Sequence, residues 1–178
     1  MRSYKLFRVA GFEISTDLSA VISSIVLWLV IFILALVVFQ RSLGKAIIAA
    51  TVALALHWLA ALIHQLGHIL AARSTGYPMS GFQGWLLLGR SMYPDNEPEL
   101  PGHTHIRRAL GGPIASLIGG VVGLIIVLAL ADRAFTTTWW LATFFFLDNL
   151  LVFALGSMIP LGFNDASTII GWRNKSTH

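Results

Sequence analysis

The segment His64-Gln65-Leu66-Gly67-His68 sets two imidazoles four residues apart. On a helix that spacing amounts to about 40° around the axis and about 6 Å along it, so both rings reach one ion. This is metal-ligand spacing; two histidines hydrogen-bonding to neighbouring helices are the plainer alternative. A third histidine, His57, lies in the same apolar stretch. Ionisable groups are costly there and usually functional, which favours the metal. Gln65 lies about 60° from His68 and would flank an ion held by the pair. Two imidazoles do not complete a catalytic zinc site, which typically takes three protein ligands and keeps one position open. The chain has no Cys, which excludes thiolate ligands, thiol nucleophiles and disulfide frameworks together. Any further ligand is a histidine, carboxylate, hydroxyl or carbonyl.

The elements that must position these groups follow from composition. Of 178 residues, 56% are apolar and only 11% charged, with a mean hydropathy of +0.77, which excludes an ordinary soluble domain. The lipid bilayer is the expected solvent, and residues 1–178 read as one polytopic membrane domain, all-α in class. The net charge of +4 would suggest nucleic acid in a soluble protein. Here the basic residues flank apolar runs and read as topology signals, so no nucleic-acid partner is expected. Runs 18–39, 46–72, 109–131 and 137–159 each suffice to cross a hydrocarbon core of roughly 30 Å at about 1.5 Å per residue. Four transmembrane helices are therefore predicted. The alternation over Leu6–Ile14 predicts a short N-terminal surface strand and turn. The loop 74–106 is too long for a simple connector, and its apolar middle, Phe82–Gly89, is too short to cross. It is expected to dip back as a re-entrant hairpin packed on the helices. In the third run, Gly112, Ser116 and Gly120, and separately Ala115, Gly119 and Gly123, form ladders that let another helix approach closely.

Four crossings put both termini on one side. Arg2, Lys5, Arg8, Arg73, Arg90, Arg107, Arg108, Arg173 and Lys175 fall on that side against Arg41, Lys45 and Arg133 on the other, which predicts both ends in the cytoplasm. The second and fourth helices then both run inward. His68 lies five residues before Arg73 and Asp165 eight before Arg173, so the two share a depth. Asp165 is therefore the best third ligand, although it would also serve to turn the chain after Pro160-Leu161-Gly162. Asp148, 17 residues earlier, belongs to a level about 25 Å away on a continuous helix.

Together these features resemble the site-2 protease family of intramembrane zinc metalloproteases. The likeness rests on the surface strand, His64-x-x-x-His68, the hairpin loop, Gly112-Pro113-Ile114-Ala115-Ser116, and Ser157-Met158-Ile159-Pro160 followed five residues on by Asp165. It implies a site-2-protease-like core in which His64, His68 and Asp165 bind zinc, acting on transmembrane segments of membrane proteins. It also marks Ser116, Ser157 and Asn164 as substrate-binding candidates. The chain departs from the family pattern at five positions: Ser116 and Ser157 stand where asparagines are usual, Asn164 and Ala166 replace leucine and glycine around the aspartate, and Gln65 replaces the glutamate of His-Glu-x-x-His.

The last departure bears on the reaction. In such enzymes the glutamate takes a proton from water and passes it to the leaving amine, a role worth roughly a hundredfold to ten-thousandfold. A glutamine amide hydrogen-bonds but cannot take that proton. The expectation is a metal site retained and peptidase activity near zero, a pseudoenzyme with Gln65 at the position of the general base. Deliberate exchange in an active enzyme and natural loss both account for Gln65; the changes at Ser116, Ser157 and Asn164 favour the second. The alternative from another class is a non-catalytic scaffolding subunit that binds partner helices through the glycine-rich third span. A transporter built on His57, Asp148 and the histidine pair lacks the broken helices and internal repeat it would need. Elsewhere, Asp148 with Asn149 is expected to pair with His57. His103 and His105 are expected in a solvated loop, and Asp95, Glu97 and Glu99 in a solvated turn. Trp139, Trp140, Trp172 and Tyr93 suit the aromatic belt.

Overall fold

In the computed structural model, which describes residues 3–9 and 11–173, strands β1 (Ser3–Val9) and β2 (Phe12–Asp17) form an antiparallel hairpin. The chain turns at Gly11, whose φ of 85° suits glycine. Arg2 and Lys175, used in the charge count, lie outside the described residues. Asp17 ends β2 and caps α1 (Leu18–Val37), its carboxylate accepting from the Ala20 N–H at 3.1 Å. Three further spans follow: α2 (Leu43–Ser74), α3 (Gly102–Ala129) and α4 (Thr137–Leu147), the last continuing into a π-helical stretch, Asp148–Leu155, and a 3-10 turn, Gly156–Met158. A short helix, α5 (Asp165–Arg173), closes the described chain.

Among the described residues four helices are long and apolar enough to cross a bilayer, and the chain is an integral membrane protein. Its packing is inverted relative to a soluble bundle. On α2 the buried apolar residues are alanines, among them Ala46, Ala50, Ala60 and Ala72, whereas Ile48, Leu59, Leu62 and Leu70 point outward. Small residues inside let backbones approach, and large apolar ones outside meet lipid tails. The closest approach is at Gly67 and Gly111, where a Cβ on either residue would strike the other's carbonyl oxygen. The ladders of α3 are spent in the same way. A Cβ at Gly119 would come within 2.6 Å of Asn149 Oδ1, and one at Gly123 within 2.8 Å of the Phe146 backbone. The face on which the scaffolding alternative relied is thus covered by the chain's own helices.

The apolar stretch of the long loop forms β3 (Gly81–Trp85) and β4 (Leu88–Met92), an antiparallel pair. β3 also pairs in parallel with β2, giving a four-stranded sheet of order β1-β2-β3-β4. The expectation of one surface strand is corrected to a sheet. Pairing between segments 68 residues apart leaves no local periodicity to read. Gly81 is needed at the junction, because a Cβ there would press on the Glu13 carbonyl oxygen. A second correction concerns α3, which starts at Gly102 rather than Ala109. Its first turns are polar, so hydropathy misses them, yet Thr104 and Arg108 are buried.

The fourth span holds the least expected geometry. Its buried residues are Asp148, Asn149, Phe153 and Ala154, repeating at five rather than at three or four. That is the repeat of a π-helix, whose i→i+5 bonds widen each turn and often mark functional sites. It keeps Asp148 and Asn149 on the same inward face as Phe153.

Candidate metal centre

His64 and His68 sit on the inner face of α2, 7% and 5% exposed, with their rings edge to face and Nε2 atoms 3.0 Å apart. Asp165 reaches them from the first turn of α5. Its Oδ2 lies 3.2 Å from His64 Nε2 and its Oδ1 3.3 Å from His68 Nε2. The three ligand atoms lie within 4.8 Å of one another. The sequence-predicted trio therefore converges, from two separate helices.

The rings are held from behind by α3. His68 Nδ1 lies 2.8 Å from the Arg108 carbonyl oxygen, which can only accept, so Nδ1 donates and Nε2 is the nitrogen left facing Asp165. His64 Nδ1 lies 3.0 Å from Ser116 Oγ, whose residue is fully buried. Orientation of a metal-binding histidine through its second nitrogen is the usual arrangement. Gly112 adds a steric condition. A Cβ there would fall against the Nε2 atoms of both histidines, so only glycine leaves the ligand edges clear. Two imidazole nitrogens and a carboxylate, with such partners and such a gap, form a donor set that fits zinc.

Asp165 is delivered by a short irregular passage. The span ends at Pro160, the chain turns at Gly162 with φ 87°, and Asn164 Oδ1 accepts from the Leu161 N–H at 3.2 Å and from Ser167 Oγ at 2.8 Å. Asn164 Nδ2 donates to the Ile159 carbonyl. Its amide is thus committed to shaping the turn that precedes Asp165. Ser157 Oγ bonds the Ala154 carbonyl at 3.2 Å, and both Ser157 and Asn164 border a cavity of about 430 Å³ that opens onto His64, His68 and Asp165. Ser116 lies behind His64, away from that cavity. Gln65 is buried, but its amide turns to β4, where Oε1 accepts from Ser91 Oγ at 3.2 Å.

Several polar groups sit differently from the sequence expectation. Arg108, read as a topology signal, is 3% exposed and ion-paired to Glu97, with the Tyr93 ring 4.2 Å from its guanidinium carbon. Glu97 is therefore no solvated turn residue, and the Arg108 guanidinium holds its carboxyl below the usual range. Tyr93 is half-buried at the cavity wall instead of in an aromatic belt, and burial pushes its hydroxyl up. His103 and His105 lie on α3, and the His105 ring stacks on Trp172 of α5 at 4.0 Å. The expected pairing of His57 with Asp148 is present at 3.0 Å, and His57 Nε2 also meets the Leu87 carbonyl oxygen at 2.8 Å. Sequence reasoning gave Gly112 a packing role and overlooked Arg108; a glycine beside a buried ligand pair was the available signal for the first.

No family model and no curated protein matches the chain. Among solved structures it is similar to the Site-2 Protease from Methanocaldococcus jannaschii, with 18% sequence identity over 99% of this chain and 74% of that one, at a TM-score of 0.65. The shared architecture spans the helices that carry His64, His68 and Asp165. At that identity and coverage the chain has the site-2 protease fold.

Proposed function

We propose that this chain is a site-2-protease-like membrane protein that holds zinc on His64, His68 and Asp165 and receives a segment of a membrane-protein partner in the adjoining cavity, with no effective hydrolysis. The observation that carries this reading is the convergence of the two Nε2 atoms on the Asp165 carboxylate, at 3.2 and 3.3 Å. When bound, zinc supplies Lewis-acid polarisation of a carbonyl. The chain's own residues orient and exclude. The Arg108 carbonyl and Ser116 fix the two rings, Asn164 shapes the approach of Asp165, and β3–β4 covers the cavity with Trp85 and Leu88. Gln65, the residue placed for general-base work, carries an amide that cannot take a proton and is engaged by Ser91. In this reading, which the charge count supports, the site and α5 face the cytoplasmic side and the hairpin folds back over the cavity.

Metal analysis of the purified full chain tests the site. Stoichiometric zinc that is lost in His64→Ala is expected; a metal-free protein whose stability is indifferent to zinc and to His64→Ala would overturn the reading. Gln65→Glu then tests the lost step. It should restore cleavage of a single-pass membrane substrate, and a zinc-loaded Gln65→Glu protein that binds such a substrate yet leaves it intact would show that the missing carboxylate is not the cause.

A further inference from the structure

The cavity beside the proposed metal ligands is lined by large apolar side chains, including Trp85, Leu88, Phe153 and Phe163, and has an uneven distribution of charge. Among the described residues that line it, Asp165 is the sole carboxylate, and it faces the two histidines. The two arginines of the lining differ in their partners. Arg108 is neutralised by Glu97. Arg90, on β4, has no ion-pair partner among the described residues, and its guanidinium carbon sits 4.8 Å from the Trp85 ring centroid. Asp17 senses it only at longer range and is committed to the α1 cap through the Ala20 N–H and Ser19 Oγ. Trp85 also packs against Phe163, 5.2 Å away and edge to face. A planar guanidinium laid on a fixed ring keeps its in-plane N–H groups free and pre-oriented for a carboxylate.

The geometry points to Arg90 as a specificity-determining residue that selects, within the partner segments proposed above, those carrying a glutamate or aspartate beside the apolar side chains that fill the cavity. This inference rests on that proposed binding role. An apolar wall supplies affinity common to any hydrophobic segment, whereas the unneutralised cation discriminates by charge. Because Arg90 is exposed at the rim, its contribution is that of a partly solvated pair, about fivefold in affinity.

The test uses the zinc-loaded full chain in phosphatidylcholine nanodiscs and three synthetic apolar segments identical except for one Glu, Gln or Lys. The Glu segment is expected to bind about fivefold tighter than the Gln segment, with the Lys segment weakest. Arg90→Gln should abolish the preference and Arg90→Glu reverse it towards Lys, with zinc content unchanged in both. Equal binding of the Glu and Gln segments overturns the inference and leaves the binding role intact. Preference retained in Arg90→Gln also overturns it and assigns the carboxylate to the metal site. If phosphatidylglycerol added to the nanodiscs abolishes the preference, Arg90 takes a lipid phosphate and the inference falls. Binding of none of the three segments overturns the binding role, and the selectivity with it.

Discussion

The Nδ1 of His68 donates to the carbonyl oxygen of Arg108 across the α2–α3 contact, at 2.8 Å. The same contact carries the bond between His64 and Ser116, so α3 sets the angle of both rings before any ion arrives. Losing one such partner typically weakens metal binding by about tenfold to a hundredfold. Ser116→Ala removes the hydroxyl and little volume, and should weaken zinc by about tenfold in a chelator competition while the fold persists. Unchanged affinity would show that packing alone holds His64.

Gly112 gives a sharper steric test. A Cβ at this position meets both Nε2 atoms, and Gly→Ala inside a helix is otherwise favourable by about 1 kcal/mol. Gly112→Ala should therefore abolish stoichiometric zinc while leaving the helical content intact. Normal zinc content in this variant would mean that the ligand edges turn away from α3.

Glu97 and Arg108 tie the long loop to the base of α3. Arg108 is almost wholly buried and Glu97 16% exposed at its side chain, so removing the carboxylate strands a cation. Glu97→Gln should cost about 2 kcal/mol, less than the roughly 3–5 kcal/mol of a fully buried pair because Glu97 keeps some solvent. The pH dependence has a definite sign. Arg108 lowers the Glu97 pKa below its ordinary value of 4.5, so the folded state holds the proton less tightly than the unfolded chain. The stabilisation is complete above that ordinary value and disappears as pH falls through the lowered one. Unfolding measured from pH 7 to pH 3 should show an acid loss in the parent that is smaller in Glu97→Gln; parallel curves would remove the pair as its source.

The convergence of His64, His68 and Asp165 was legible because it needs only two facts visible in a sequence: a four-residue spacing on one helix, and the similar distance of His68 and Asp165 from the basic markers Arg73 and Arg173 on the same side. The four spans were legible for the same reason, since uninterrupted apolar length is a one-dimensional signal. What stayed hidden depends on contacts between distant segments. The parallel pairing of β2 with β3 joins Glu13 to Gly81, and no local pattern announces it. Arg108 looked like a topology marker because charge count ignores burial, although Glu97 eleven residues away neutralises it. The π-helical stretch escaped a reading made at 3.6 residues per turn, for which Asp148 and Phe153 do not share a face.

That stretch bears on the last prediction. Asp148 faces His57 at 3.0 Å, both nearly inaccessible, and the second nitrogen of His57 lies 2.8 Å from the Leu87 carbonyl at the tip of the β3–β4 turn. The carbonyl can only accept, so His57 donates there and meets Asp148 with Nδ1. One histidine thus joins α2, the π-helical stretch and the hairpin that roofs the cavity. A buried charged group left without its partner costs several kcal/mol, and residues in one hydrogen-bond network couple by roughly 0.5–3 kcal/mol. His57→Ala and Asp148→Ala should each destabilise the protein, and the double variant should lose about 1–3 kcal/mol less than their sum in mixed-micelle unfolding. The same variants should expose the hairpin, seen as faster proteolysis between Trp85 and Leu88, while metal content stays closer to the parent because His57 lies about 10 Å along α2 from His64. Additive single losses with an equally protected hairpin would mean that the three elements are held together by packing of Phe153 and Trp58 against the His57 ring alone.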